Sequence, residues 1–253
     1  MIFTSPESAH WYTQEGMPAY NSTLREARKL GLLPSITSVI AEQKNFGLEN
    51  WKAEQLLMAA LTLPRNDGES EHDWIKRIIE DSRAQSDTAK EIGIAVHHWI
   101  ECHLKGLTIE IQHPALTAIW PAIEQWLDEN VGVVLFCEES GVNLRYGYGG
   151  RIDLCFAGMD DQVYLVDFKT QKTKDGKIAK YFTWCSQLAA QHQLTMFDDL
   201  HVDKLINVVI STTETGLIKQ VEWGLEDEIR GYKLFLALLD VFRLSRNFYY
   251  EVA

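Results

Sequence analysis

Asp153, Asp167 and Lys169 are the residues of this chain best suited to act in concert. Asp153 closes the segment Gly150-Arg151-Ile152-Asp153, and Asp167 and Lys169 stand two apart in Val166-Asp167-Phe168-Lys169. Hard divalent cations take oxygen ligands, so two carboxylates brought together can hold Mg²⁺ or Mn²⁺. A lysine one strand-step past the second carboxylate faces the same side and can meet a phosphate bound there. Phosphodiester hydrolysis requires a water made nucleophilic near neutral pH and stabilised charge on the pentavalent phosphate, which such a set can supply. The Phe168 backbone carbonyl, between Asp167 and Lys169, offers a further oxygen donor. Without a cation, paired carboxylates repel and raise one another's pKa. Asp-x-Lys alone is common on exposed strands. The Gly-x-Ile-Asp segment fourteen positions before Asp167 (167 minus 153), joined by a hairpin, gives it weight.

The hydrophobic pattern supplies the frame for these residues. Val131 to Glu138, Tyr148 to Phe156 and Gln162 to Thr170 read as a three-strand antiparallel meander, with a turn at Gly158-Met159-Asp160-Asp161. Alternation puts Ile152, Leu154 and Phe156 on one face and Asp153 with Cys155 on the other; Val163, Leu165, Asp167 and Lys169 share a face. Helices are expected from Leu48 to about Leu63, from Glu71 to Arg83, from Ser86 to about Lys105, over 114–130, from Tyr181 to about Phe197 and from Leu225 to Arg246. Two further strands are expected over Leu205 to Ser211 and Leu217 to Trp223. In the helix from Ser86, Ala89, Ile92, Val96 and Ile100 mark a buried stripe, with Gly93, His97 and Glu101 beside it. The expected fold is α/β, a central mixed β-sheet flanked by helices. One unit spans 1–253, with a mostly helical N-terminal region (1–84), a core (85–225) and a C-terminal helix (226–253).

Composition constrains the rest. The chain has 253 residues, a hydrophobic fraction of 46% and no run of about 18 apolar residues that would cross a membrane. Met1-Ile2-Phe3-Thr4-Ser5-Pro6 lacks the basic-then-apolar layout of a leader, so a cytoplasmic protein with no membrane partner is expected. Cys102, Cys137, Cys155 and Cys185 lie far apart with no C-x-x-C pair, which reads as core thiols rather than a disulfide framework or zinc knuckle. A net charge of −12 repels phosphate backbones unless basic groups gather locally. Lys169, Lys172, Lys174, Lys177 and Lys180, against Asp175 alone, are such a gathering; the same run also suits a solvated loop. Arg145 and Arg151 can extend a basic channel. Lys180, Trp184, Gln187 and Gln191 fall on one helical stripe, beside Tyr181, able to meet a strand by stacking and hydrogen bonds. Trp11, Tyr12 and Tyr20 can stack on bases or pack in the core.

In the order and type of these segments the chain resembles the PD-(D/E)XK nuclease superfamily, in particular its RecB-like branch, which includes the mitochondrial genome maintenance exonucleases. The resemblance spans about residues 30 to 195 and is sharpest from Gly93 to Gln191. Gly93-Ile94-Ala95-Val96-His97 is similar to the family's Gly-x-x-x-His helix, Gly150 to Asp153 to its Gly-x-Ile-Asp strand, and Asp167-Phe168-Lys169 to its Asp-x-Lys strand. Gln187-Leu188-Ala189-Ala190-Gln191 is similar to its Gln-x-x-x-Tyr helix, with Gln191 in place of the tyrosine. Leu33-Pro34-Ser35-Ile36-Thr37 is similar to an N-terminal Pro-Ser-Val-Thr segment of the mitochondrial and phage-type members. The resemblance implies a restriction-endonuclease-like core and a Mg²⁺- or Mn²⁺-dependent DNA exonuclease acting on single strands or ends. It implies metal ligands at His97, Asp153, Asp167 and the Phe168 carbonyl, with an upstream acid at Glu139 or its neighbour Glu138. Asp153, Asp167, Lys169 and Gln187 become the catalytic set, and Arg151, Lys172, Lys174, Lys177, Lys180, Tyr181, Trp184 and Gln191 the nucleic-acid contacts. Relatives with an iron–sulfur cluster add four cysteines around it, and no matching set is present, so no iron–sulfur cluster is expected. A structure-specific endonuclease and a catalytically silent binding module on the same fold are the alternatives.

Overall fold

The central strands are long, apolar and β-branched, and they lie side by side as their alternation requires. The computed structural model describes residues 10–43, 46–109 and 114–249; the Met1 to Pro6 segment lies outside them. Among the described residues a five-stranded mixed sheet runs in the order β3 (Val131–Asn143), β4 (Tyr148–Gly158), β5 (Val163–Gln171), β6 (Lys204–Ser211) and β7 (Ile218–Trp223), after a short pair β1 (Trp11–Tyr12) and β2 (Leu33–Pro34). All neighbours are antiparallel except β5 and β6, which are parallel and joined through helix α6 (Phe182–His192). A parallel pair needs such a crossover, whereas the antiparallel pairs are joined by turns.

Helices cover both faces of the sheet. On one side Ile152, Cys155, Leu165 and Leu205 pack against Leu188 and Ala190 of α6 and against Phe235, Leu239 and Phe242 of the last helix, α7 (Leu225–Arg246). On the other, Leu154, Phe156, Val166, Phe168 and Val208 meet Val96 and Ile100 of α4 (Glu71–Leu104) and Ile119 and Ile123 of α5 (Pro114–Asn130). The four cysteines are buried free thiols, and no helix among the described residues is long and apolar enough to cross a membrane.

Two expectations need correcting. The helices expected over 71–83 and from Ser86 are one 34-residue helix, α4. Its first half packs on α3 (Phe46–Thr62) and its second half on the sheet and α5, and between them Arg83, Ala84 and residues 87–91, Ala89 included, are exposed. The apolar stripe lapses where the helix bridges two partners through solvent, which imitates a boundary. Ile152 was expected on the face of Leu154 and Phe156, yet it joins Cys155 in the opposite core. Alternation breaks at Asp153, where β5 ceases to pair with β4.

The N-terminal limb, from His10 through α1 (Leu24–Leu30) to α2 (Ile36–Ile40), closes over the β3–β4 hairpin. Ser35 bridges to Gly149, and Trp11 packs against Phe248 and Phe242 at ring-centroid distances of 5.2 and 6.0 Å. Gly149 admits this close approach, because a Cβ there would lie 2.7 Å from Tyr12 Cγ and 2.8 Å from its Cβ. Gly149→Ala is expected to destabilise the protein by about 1–3 kcal/mol through this overpacking. Chemical denaturation would register it as a lower midpoint at unchanged m-value.

Candidate metal centre

Strands β4 and β5 pair through Leu154 and Val166 and then part. At the fork the Asp153 carboxylate takes the place of a ladder acceptor: the Phe168 N–H donates to its Oδ2 at 2.8 Å. Because the N–H and C=O of a strand residue point to the same edge, the Phe168 carbonyl is on the β4 side of β5 as well. The next side chain back, Asp167, is only 1% exposed. Its Oδ1 accepts from Gln187 Nε2 at 2.6 Å and its Oδ2 from Asn207 Nδ2 at 2.6 Å. Lys169 Nζ lies 2.9 Å from Asp167 Oδ1 and 2.7 Å from Oδ2, and donates to Gln187 Oε1 at 3.1 Å. Asp167, Lys169 and Gln187 therefore form a closed triangle of hydrogen bonds.

A second group adjoins it on the α4 side. His97 Nδ1 lies 3.4 Å from Glu138 Oε1 and 3.5 Å from Asp153 Oδ2. One donor atom from each of His97, Glu138 and Asp153 falls within 4.8 Å of the others. Two ligands about 2.1 Å from a shared ion, at 90–110° to one another, lie roughly 3.0–3.4 Å apart, so the His97 separations suit a common cation. One imidazole with carboxylate oxygens is a mixed nitrogen and oxygen donor set that could hold a divalent cation. Gly93, one turn before His97, brings α4 against β5: a Cβ on it would stand 3.2 Å from Thr170 Oγ1.

Burial dominates the electrostatics. It raises the Asp153 carboxyl above its ordinary range, and it lifts Asp167 to about 6, where the charge of Asp153 adds and the Lys169 ammonium opposes. Burial works against a charged His97 ring, but the carboxylates of Asp153 and Glu138 outweigh it and raise the ring to about 9.

These groups form the floor of a cleft of about 720 Å³. Lys90, Gly93, Ile94 and His98 of α4 make one wall, and His10, Tyr12, Tyr20, Ser35 and Thr37 of the N-terminal limb make the opposite one. Arg151 lines the same space, with Nε 2.7 Å from Glu138 Oε2 and Nη2 3.8 Å from Glu101 Oε2.

The structure thus brings His97, Asp153, Asp167, Lys169, Gln187 and Arg151 together around one cleft. It sorts the others differently. Glu139 is exposed and outside the cleft, and the adjacent acid that meets His97 is Glu138, whose backbone φ of 54° turns its side chain inward. Gln191, expected on a contact stripe, is buried at 1% exposure and donates to the Arg151 carbonyl at 2.9 Å, so it meets the cleft only from its floor. Lys172, Lys174, Lys177, Lys180 and Tyr181 are exposed, and with Trp184 they lie beyond the cleft lining. Trp11 is core, Tyr12 is buried at the cleft wall, and Tyr20 is 41% exposed on it.

Asn207 and Trp223 escaped the sequence reading. Asn207 clamps Asp167, and the Trp223 indole Nε1–H donates to Asn207 Oδ1 at 2.7 Å, which fixes the amide so that its NH₂ faces the acid. The available signal was one buried amide inside the apolar run Leu205-Ile206-Asn207-Val208-Val209-Ile210.

No family model and no curated protein matches the chain. A solved structure described as "Crystal structure of SSO0001" is similar over 77% of this chain and 87% of that one, at 14% identity and a TM-score of 0.30. That likeness is too low to carry an argument.

Proposed function

We propose that this chain is a metal-dependent nuclease with a PD-(D/E)XK, restriction-endonuclease-like core, shortening DNA from single strands or ends in replication, recombination, repair or phage genome processing. The observation that carries the reading is the Asp167–Lys169–Gln187 triangle beside the His97–Glu138–Asp153 group, where β4 and β5 part. His97, Glu138, Asp153, Asp167 and the Phe168 carbonyl would hold Mg²⁺ or Mn²⁺. When bound, the ion supplies Lewis acidity toward a phosphoryl oxygen and lowers the pKa of water.

The chain's own residues do the positioning. Lys169, fixed by Asp167 and Gln187, places a preorganised ammonium where negative charge grows on the phosphate. Gln187 holds that ammonium from behind and, through its NH₂, keeps one Asp167 oxygen oriented. Asn207 holds the other, so the acid has one rotamer before substrate arrives. Arg151 stands beside the acids as a second cation able to meet a neighbouring phosphate.

A cleft walled on two sides, with its acids on the floor, suits one strand laid along it. Incubation with Mn²⁺ is expected to degrade linear single-stranded DNA and to spare a closed circle of the same sequence. Cleavage of the circle would instead support the structure-specific endonuclease, and metal-independent silence toward both would support a binding module without catalysis.

A further inference from the structure

The lysine-rich segment after β5 is a clamped hairpin. Asp175 and Gly176, both with positive φ (56° and 63°), form the two-residue turn that matches strand twist, and Lys177 N–H donates to the Lys174 carbonyl at 3.1 Å. Lys174 and Lys177 are thereby paired directly across the hairpin. Like charges directly opposite one another destabilise such a pair. The hairpin is nevertheless held from three sides. Glu214 accepts from Thr173 Oγ1 and from the Gly176 N–H at 3.1 Å, Thr213 exchanges hydrogen bonds with the Thr173 backbone at 2.9 and 2.7 Å, and the Gln171 amide brackets the Ala179 backbone. These bonds hold the Glu214 carboxyl below its usual range, with the Lys219 ammonium contributing.

Lys172, Lys174, Lys177 and Lys180 are exposed and form no ion pair with another described residue, on a chain of net charge −12. Lys219 adds a cation against the turn, its Nζ 3.9 Å from where a Cβ on Gly176 would stand. Five cations against the carboxylates of Asp175 and Glu214 leave the hairpin with an excess of positive charge, and an anion bound between the lysines relieves their repulsion.

We propose that the Lys174–Lys177 hairpin, with Lys172 and Lys180 on its limbs and Lys219 at its base, is a preformed seat for the phosphates of single-stranded nucleic acid, and that Glu214 is its positioning residue. The proposal deepens the nuclease reading and rests on it for the choice of ligand. Lys172 follows Lys169 by three residues, roughly 10 Å along the chain, so the hairpin lies within a few nucleotides' reach of the cleft. Tyr181, 39% exposed and edge-to-face with Trp184 at 5.3 Å, adds an aromatic surface at the same end for bases to lie on.

The test is binding of a labelled single-stranded oligonucleotide in EDTA, between 50 and 200 mM salt. For the double variant Lys174→Gln, Lys177→Gln, the plot of log affinity against log salt should become shallower by about 1.4, since each lost phosphate contact on a single strand contributes about 0.7. The advantage of the native chain should accordingly shrink about sevenfold across that salt range. Without DNA the double variant should melt at the same temperature or higher, because a repulsive pair is gone. Glu214→Gln leaves every lysine in place and removes a negative charge beside them, so charge alone would tighten binding; weaker binding by this variant is the expected sign that Glu214 acts by holding the turn. An unchanged slope would overturn the proposal, as would weaker binding accompanied by a lower melting temperature. The two readings fail separately: a chain that binds with this slope but does not cut with Mn²⁺ retains the seat, and one that cuts while the slope ignores both lysines loses it.

Discussion

Replacing Lys169 with alanine is expected to lower metal-dependent phosphodiester cleavage about 100- to 1,000-fold, the usual cost of removing one preorganised group that meets transition-state charge. The ammonium is held at 2.7 to 3.1 Å by Asp167 and Gln187, so its position is fixed before substrate binds. Its loss leaves Asp167 tied to Gln187 and Asn207, and leaves His97, Glu138 and Asp153 with their own contacts. Divalent-cation binding should therefore survive. The pair of measurements is cleavage rate and Mn²⁺ calorimetry on the same two proteins. Equal cleavage by both would remove Lys169 from the reaction.

Metal removal should have the other large effect. Mn²⁺ at a hundredfold excess over its dissociation constant is expected to stabilise the protein by about 2.7 kcal/mol, or roughly 5–10 °C for a chain of this size. Binding should also release protons. His97, raised to about 9, carries a proton at pH 7.5 and must lose it to become a ligand, giving about one proton per ion. Asp167, raised to about 6, adds toward a second near pH 5.5.

The sign for the metal-free protein follows from the same shifts. A histidine whose folded pKa lies above its ordinary value contributes stability below 6.5 that is lost as pH rises through about 9. A carboxyl whose folded pKa is raised to about 6 lowers stability as pH climbs from its ordinary range to that value, and no further above it. Metal-free protein should thus melt lower at pH 9 than at pH 6, and Mn²⁺ should narrow or reverse the difference. Calorimetry in two buffers of different ionisation enthalpy counts the protons. A count of zero at pH 7.5 would show that His97 is no ligand.

The β-meander and its acids were legible because period-two alternation and a hairpin are local signals; β3 to β7, α5 and α7 lie where the pattern puts them, while α6 ends at His192 and a short 3₁₀ turn, Thr195–Phe197, completes the segment expected to be helical. Which of Glu138 and Glu139 meets His97 was not legible, because a left-handed backbone angle at Glu138, a non-glycine residue, interrupts the alternation of β3. The Ile152 face was missed for a related reason: the strand loses its β5 partner at Asp153 while keeping β3. The far wall of the cleft was not legible, since His10, Tyr12 and Thr37 reach it only by tertiary docking across more than a hundred positions. Gln191 looked like a surface contact because helical spacing reports a stripe's direction and not which neighbour covers it.

Trp11 fixes the limb that carries that wall, and its own support comes from Phe242 and Phe248 at the opposite end of the sequence. A shortened protein that stops before residue 235 would keep every acid, the lysine and the glutamine, and yet its groove would lose one bank. Fragments trimmed to the segments that carry the acids and the lysine are thus poor reagents for assaying this chain: an inert fragment would report on missing scaffolding, not on idle chemistry.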